Sequence, residues 1–240
     1  MKVEGRNAVR ELVLKGSTID KVLIQNNLKD GVINELIDLL KNKKIRFQFV
    51  NANILNNESV TKHHQGVIAY TTEFKYSSTE DILEYAKECG EDPFILILDG
   101  IEDPHNLGSI LRNCECMGVH GVIIEKTRAC QVNETVIKTS AGATTHVKVA
   151  KVSNINNEIE KLKKQNVWVY GCELGGENLC KSNLTGPVAI VIGSEGRGTG
   201  KLTLKICDGI VTIPQYGKIN SLNASVATGI VLYEVRRQRG

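Results

Sequence analysis

The chain has 240 residues, 41% hydrophobic and 24% charged, a size that fits one large domain or one small and one medium domain, with ample material for a buried core. No apolar run is long enough for a membrane span, and nothing suggests disorder or a collagen repeat. The formal net charge is only +3, yet the whole positive excess falls within residues 1–73, densest at Lys41, Lys43, Lys44 and Arg46, which suits a polyanion-binding module or, more simply, a solvated helix end.

In chain order, residues 7–15 read as a helix with Asn7 as its N-cap. Residues 21–25 read as a strand, and 32–44 as a helix, with Ile33, Leu36, Ile37 and Leu40 at helical spacing. Residues 46–50 and 66–72 complete a small α/β unit spanning 1–73. Residues 74–92 are polar and mixed and read as a linker with one short helix starting at Ser78 or Thr79. From Pro93 the pattern is regular. Apolar, β-branched strands at 94–99, 121–125, 147–152, 167–171, 188–193 and 210–214 alternate with helical stretches, the signature of a mostly parallel sheet covered on both faces. The expected fold class is α/β, with a second domain over 93–240.

The seven cysteines are odd in number and form no CxxC pair, so they read as reduced thiols packed as small hydrophobes, neither a disulfide framework nor a zinc site. The N-terminus carries no apolar signal core, and a cytoplasmic location is expected. Two glycine motifs fail. The turn Gly193-Ser-Glu195-Gly196-Arg197-Gly198-Thr-Gly200-Lys201 has P-loop glycines one residue too close and Leu202 after the lysine. As a dinucleotide fingerprint it has Lys201 where the third glycine belongs. His63-His64 would point to opposite faces of a strand, and with Cys114 and Cys116 gives no convincing metal set, so no metal is expected.

Three segments remain. Asp99 to Arg112 is a strand end, a turn and a helix starting near His105 or Asn106, at the strand edge where ligands of open α/β sheets sit. The second is the glycine turn carrying Glu195. The third, Ile213 to Gly229, is a strand end followed by a helix starting near Ser221, with Ala224, Ser225, Ala227 and Gly229 small enough for close helix approach. Taken singly, each has an ordinary explanation: Asn106 and Asn223 as caps, Arg112 and Glu195 as surface charges.

Together and in this order, DPHNLGSILR, IGSEGRG and IPQYGKINSLNASVATGIVLYE resemble the three motifs of the SpoU/TrmH family of RNA ribose 2′-O-methyltransferases, in the SPOUT superfamily. EGRNAVREL and HHQGVIAY resemble the L30e-like, RNA substrate-binding N-terminal domain of the RlmB-type subgroup, which methylates a guanosine of 23S rRNA. The resemblance implies a SPOUT-type catalytic domain with a deep trefoil knot, a homodimer, and S-adenosyl-L-methionine held against backbone at Gly193, Ile213 and Leu222. It also implies active-site residues Asn106, Arg112, Glu195, Ser221 and Asn223. Gln215, Ala224 and Ala129-Cys130 depart from the more usual methionine, valine and serine-valine; none of them is a carried-over catalytic position.

A ribose hydroxyl is a poor nucleophile until its proton is removed or shared, whereas a sulfonium methyl is already activated. Arg112 is expected first as a phosphate clamp and alternatively as the base, since arginine stays protonated in ordinary settings. Asn106, Ser221 and Asn223 would orient ribose and arginine, and Glu195 would fix its loop or hold Arg112. A tRNA guanosine methyltransferase, a resistance-type rRNA methyltransferase and a non-catalytic RNA-binding protein on the same fold stay open as alternatives.

Overall fold

The computed structural model describes residues 2–14, 17–28, 30–72, 74–218 and 221–240. Lys15 and Glu73, where the expected first helix and first domain end, and Ile219 and Asn220 of the third motif lie outside the described residues. The chain divides into two compact units, Met1–Phe74 with Val132–Glu134, and Lys75–Gln131 with Thr135–Gly240.

The first unit comprises β1 (Lys2–Glu4), α1 (Arg6–Leu14), β2 (Ile19–Gln25), α2 (Gly31–Asn42), β3 (Phe47–Val50), α3 (Ala52–Glu58) and β4 (Val67–Thr71). Its sheet runs β1-β4-β2-β3, with β2 and β3 parallel and the other pairs antiparallel. Successive strand residues point to opposite faces. Val22 and Ile24 therefore meet Val9, Val13, Ile33, Leu36 and Leu40 of α1 and α2, while Leu23 meets Leu55 of α3. Asp30 caps α2, its Oδ1 accepting from Ile33 N at 3.0 Å. Asn7 does not cap α1. The helix starts one residue earlier, because Gly5 turns the chain at φ +96° and its carbonyl already accepts from Val9 N. His63 and His64 lie in a loop, not a strand. His64 is buried, its Nε2 2.9 Å from Asn56 Oδ1 and its Nδ1 accepting from Gly66 N at 3.0 Å, which makes it a packing residue.

The remaining elements are α4 (Thr79–Glu88), β5 (Phe94–Asp99), α5 (Pro104–Cys116), β6 (Gly121–Glu125), α6 (Glu134–Thr139), β7 (Lys148–Val152), α7 (Ile155–Lys164), β8 (Trp168–Asn178), β9 (Val188–Gly193), α8 (Lys201–Ile206), β10 (Gly209–Thr212) and α9 (Ala224–Arg239). The six strands form one parallel sheet ordered β10-β8-β9-β5-β6-β7. Ile82 of α4 and Ile155, Ile159 and Leu162 of α7 cover the face carrying Ile95, Ile97, Ile123, Ala189 and Val191, while α5 and α9 pack against each other and against β6 and β9. Residues 75–92, expected as a linker, belong to this unit. Ser78 and Asp81 close a capping box on α4. Ile82 is fully buried, and the space a Cβ on Gly121 would need is filled by its side chain. No helix among the described residues is long and apolar enough to cross a membrane.

Two further expectations change. The strand at 167–171 extends to Asn178, passing Gly175 and Gly176; a Cβ on Gly176 would lie 2.5 Å from the Ile210 carbonyl oxygen, so only glycine lets β8 and β10 close. The last helix starts at Ala224, not near Ser221, with Asn223 as its cap. Of the seven cysteines only Cys114 is fully buried, while Cys89, Cys116 and Cys180 are exposed. All are free.

Candidate active site

Two helix starts and one glycine turn build the site. Asp103 caps α5, its carboxylate accepting from His105 N at 3.3 Å and Asn106 N at 3.0 Å, with Pro104 pre-set for the first turn. Asn223 caps α9, its Oδ1 accepting from Ser225 N and Val226 N at 3.0 and 3.3 Å. The caps leave both amide groups aimed at the turn after β9. Asn106 Nδ2 donates to Glu195 Oε1 at 2.9 Å, Asn223 Nδ2 donates to Asn106 Oδ1 at 2.9 Å and to Glu195 Oε1 at 2.5 Å, and Ala224 N donates to the same Oε1 at 3.2 Å. One carboxylate oxygen thus gathers all three motifs through charge-assisted hydrogen bonds. Glu195 Oε2 makes no hydrogen bond among the described residues and is open to a ligand hydroxyl.

The turn itself is held from outside the motifs. Glu173, on the unexpected extension of β8, accepts from Thr199 N at 3.1 Å, and Asp99 Oδ2 accepts from Gly200 N at 2.9 Å. A Cβ on Gly193 would lie 2.1 Å from the Gly198 carbonyl carbon, so this glycine lets the strand end pack against its own turn. Sequence reasoning missed Glu173 because the expected strand stopped at Gly171, two residues before it.

A cavity of about 120 Å³ opens beside this cluster, lined by Gly193, Glu195, Ile213, Ser221 and Leu222 together with Glu173. The three residues expected to hold the cofactor therefore share one wall. A second hollow, about 240 Å³, lies on the other side of the cluster, between Asn106, Glu195 and Ala224 and the Gly100–Asp103 turn.

Arg112 stands apart. It is exposed on α5 and forms no hydrogen bond or ion pair among the described residues. Glu195 does not hold it, as its inner oxygen is committed to Asn106, Asn223 and Ala224; nor does the arginine line either cavity. Asn113, its neighbour, instead ties α5 to α9 by donating to the Ser225 carbonyl at 2.9 Å. Gly229 makes room for that contact, since a Cβ there would come within 3.3 Å of Asn113 Nδ2. Ser221 lines the cofactor-side cavity without a hydrogen bond of its own among the described residues. No cluster able to hold a metal exists among the described residues.

Residues 93–233 match the SpoU rRNA Methylase family, and residues 2–77 match the RNA 2′-O ribose methyltransferase substrate binding family. A Bacillus subtilis (strain 168) protein assigned to the TrmH family of tRNA/rRNA methyltransferases is 41% identical over 239 residues, covering 99% of this chain and 95% of that one. A Staphylococcus aureus (strain MSSA476) protein of the same assignment is 43% identical, covering 99% and 96%. Among solved structures, the SpoU methyltransferase AviRb of Streptomyces viridochromogenes, in complex with the cofactor AdoMet, superimposes with a TM-score of 0.64 at 23% identity, covering 100% of this chain and 90% of that one. An AdoMet-bound rRNA methyltransferase of Sinorhizobium meliloti gives 0.59 at 21% identity, covering 98% and 86%. At such identities the likeness is one of fold: an α/β architecture with a parallel sheet, preceded by the small N-terminal unit.

Proposed function

The chain belongs to the SpoU/TrmH family of RNA methyltransferases, and we propose that it uses S-adenosyl-L-methionine to methylate the ribose 2′-hydroxyl of a guanosine in 23S ribosomal RNA. The observation that carries this reading is the convergence of Asn106, Asn223 and Ala224 N on one oxygen of Glu195, beside a cavity walled by Gly193, Ile213 and Leu222. The glycine-rich backbone of the turn and the apolar Ile213 and Leu222 suit an adenosyl group there. Bound in that cavity, the cofactor would supply a methyl already activated by its sulfonium.

The chain's own residues then have to align one hydroxyl and manage one proton. Asn106 and Asn223 fix the Glu195 carboxylate, and its free Oε2 faces outward to accept from a ribose hydroxyl. Ser221, on the cavity rim, offers a further hydroxyl for orientation. Arg112 acts first as a clamp on an RNA phosphate, and as the base only where substrate desolvates it. Its lack of a partner among the described residues fits a group whose partner arrives with RNA.

A ribosomal target is supported by architecture. The rRNA methyltransferase of Sinorhizobium meliloti matches 98% of this chain, whereas the TrmH/SpoU tRNA modifying enzyme of A. aeolicus, TM-score 0.57 at 29% identity, matches 62% of it. The N-terminal unit, with its exposed Lys41, Lys43 and Arg46, then serves as the RNA-binding, L30e-like part. The working form is a homodimer joined through the catalytic unit, where Val226, Ile230 and Tyr233 expose one apolar stripe along α9. The test is to map 2′-O-methylation across ribosomal and transfer RNA from cells with and without the protein. One guanosine of 23S rRNA should lose its mark. Loss of a transfer-RNA mark instead would redirect the target, and loss of none would remove the reading.

A further inference from the structure

Two helices of the catalytic unit start beside the carboxyl end of β7. α4 begins at Thr79, just after Ser77 N donates to the Val149 carbonyl at 2.9 Å, and α7 begins at Ile155, three residues after β7 ends. A cavity of about 340 Å³ lies there, sharing no residue with the two beside Glu195. Lys126, Lys151 and Lys161 line it, against two glutamates, Glu80 and Glu158. Lys161 answers both glutamates: its Nζ donates to the buried Glu158 at 3.0 Å, and the Glu80 charge adds to the rise in pKa that Glu158 causes. Lys126 and Lys151 form no ion pair among the described residues. Lys151 is steadied over the Tyr76 ring, 4.2 Å from its centre. Burial first, and then the charge of Lys126, lowers the Lys151 pKa. An anion seated beside both ammonium groups would offset that repulsion.

The same wall carries an unsatisfied hydroxyl. Thr79 is 4% exposed, and its Oγ1 has no hydrogen-bond partner among the described residues. A buried hydroxyl is seldom left so. The two helix starts add the positive ends of their dipoles, partly offset by Glu80, Asp81 and Glu158 in the first turns. Lysines, threonine hydroxyls and helix starts are the groups that hold nucleic-acid phosphates. A phosphodiester brings one negative charge and several acceptor oxygens to them.

We propose that this cavity seats a backbone phosphate of the substrate RNA, a few nucleotides from the ribose being methylated, with Lys126 and Lys151 as its charged donors. The assignment rests on the ribose-methylation reading above and adds to it the direction in which the RNA leaves the site. In the sheet, β7 stands three strands from β9, whose turn carries Glu195. At the ordinary strand spacing of about 4.8 Å that is roughly 14 Å along one carboxyl edge. The RNA would therefore run from Glu195 across the ends of β5 and β6 to β7.

The test uses the full-length protein and ribosomal RNA from cells lacking it. In filter binding at a series of salt concentrations, Lys126→Gln/Lys151→Gln should weaken affinity by roughly 10- to 100-fold, the scale of charge-assisted hydrogen bonds. The slope of log affinity against log salt should fall by about 0.7 to 0.9, the share of one phosphate. Lys87→Gln/Lys164→Gln removes two charges from the last turns of the same helices and should bind like wild type. Single-turnover methylation by the cavity variant should reach the wild-type rate at saturating RNA. Unchanged affinity and slope in the cavity variant would overturn the assignment, and so would an equal loss in both variants, which would mark a general effect of net charge. If inorganic phosphate raised the melting temperature of the wild type but not of the cavity variant, while both bound RNA equally, the cavity would belong to a free phosphate and the assignment would fall. The expected binding pattern with label on no ribose would remove the methylation reading and leave the phosphate site standing.

Discussion

Asn106 Nδ2 and Glu195 Oε1 lie 2.9 Å apart across 89 residues of sequence, and the bond joins the start of α5 to the turn after β9. Glu195→Ala removes the acceptor that Asn106, Asn223 and Ala224 N share. Methyl transfer should fall by at least about 100-fold, the scale attached to a positioned acid–base or hydrogen-bonding group. Glu195→Gln keeps an oxygen for the inner donors but loses the charge at the open Oε2, so it should fold like wild type and still turn over slowly. Single-turnover rates of the two variants check this. Near wild-type rates in both would reduce Glu195 to a surface charge.

Gly193→Ala would force a methyl within 2.1 Å of Gly198 C and 2.2 Å of Thr199 N, both backbone atoms with no room to yield. The expected cost is about 1–3 kcal/mol of stability, as for other overpacked sites, and cofactor affinity should fall with it because the same residue walls the cavity. Thermal melting with and without S-adenosylmethionine measures both. An unchanged melting temperature and an unchanged ligand-induced shift would contradict the packing described for this turn.

Arg112 is exposed and without a partner among the described residues, so Arg112→Ala should leave the fold and cofactor binding intact while abolishing methyl transfer by several powers of ten. Arg112→Lys should also be severe, because a point charge does not reproduce the planar two-donor fork. An ordinary surface arginine would instead allow near-normal turnover and a stability change within about 0.5 kcal/mol. Turnover measured at saturating RNA and cofactor separates the two. Full saturated rate in the lysine variant would remove both the clamp and the base role.

That a helix follows the strand ends of the first and third motifs was legible from local polar and small residues, but the starting residues were not: Asp103, not Asn106, caps α5, and α9 starts at Ala224 rather than near Ser221. The sheet was legible from its β-branched runs. Their mutual contacts were not, since the Asn106–Asn223 bond spans 117 residues and no local preference encodes it. The family resemblance, not residue spacing, grouped Asn106, Glu195 and Asn223. Glu173 stayed hidden because the apolar alternation stops at Gly171; the extension of β8 past Gly175 and Gly176 is set by its close approach to Ile210, which no local pattern announces. The 74–92 segment looked like a linker because its polar residues outnumber the few, Ile82 and Ala86 among them, that dock α4 on the sheet.

Glu4 supplies a pH prediction for the N-terminal unit. Burial raises its carboxyl pKa, but hydrogen bonds from the Thr61 and Ser59 hydroxyls and from Val60 N and Thr61 N outweigh that and hold it at about 2, against an ordinary 4.5. A depressed carboxylate contributes stability that is fully present above the ordinary value and is lost as pH falls from about 4.5 towards about 2. Glu4→Gln should therefore cost about 1 kcal/mol at pH 7 and progressively less at pH 3 and below. Urea unfolding followed by circular dichroism at the two pH values checks this. An equal gap at both would mean that the charge of Glu4 is not what holds the 59–61 segment.

The central claim is transfer of a methyl group to a ribose 2′-hydroxyl, and alkaline hydrolysis of the product tests it most directly. A free 2′-hydroxyl attacks the neighbouring phosphodiester in alkali, and a methylated one does not. RNA labelled by this protein from methyl-labelled S-adenosylmethionine should therefore release its label in alkali-resistant dinucleotides. Label released in mononucleotides would place the methyl on a base and contradict the assignment.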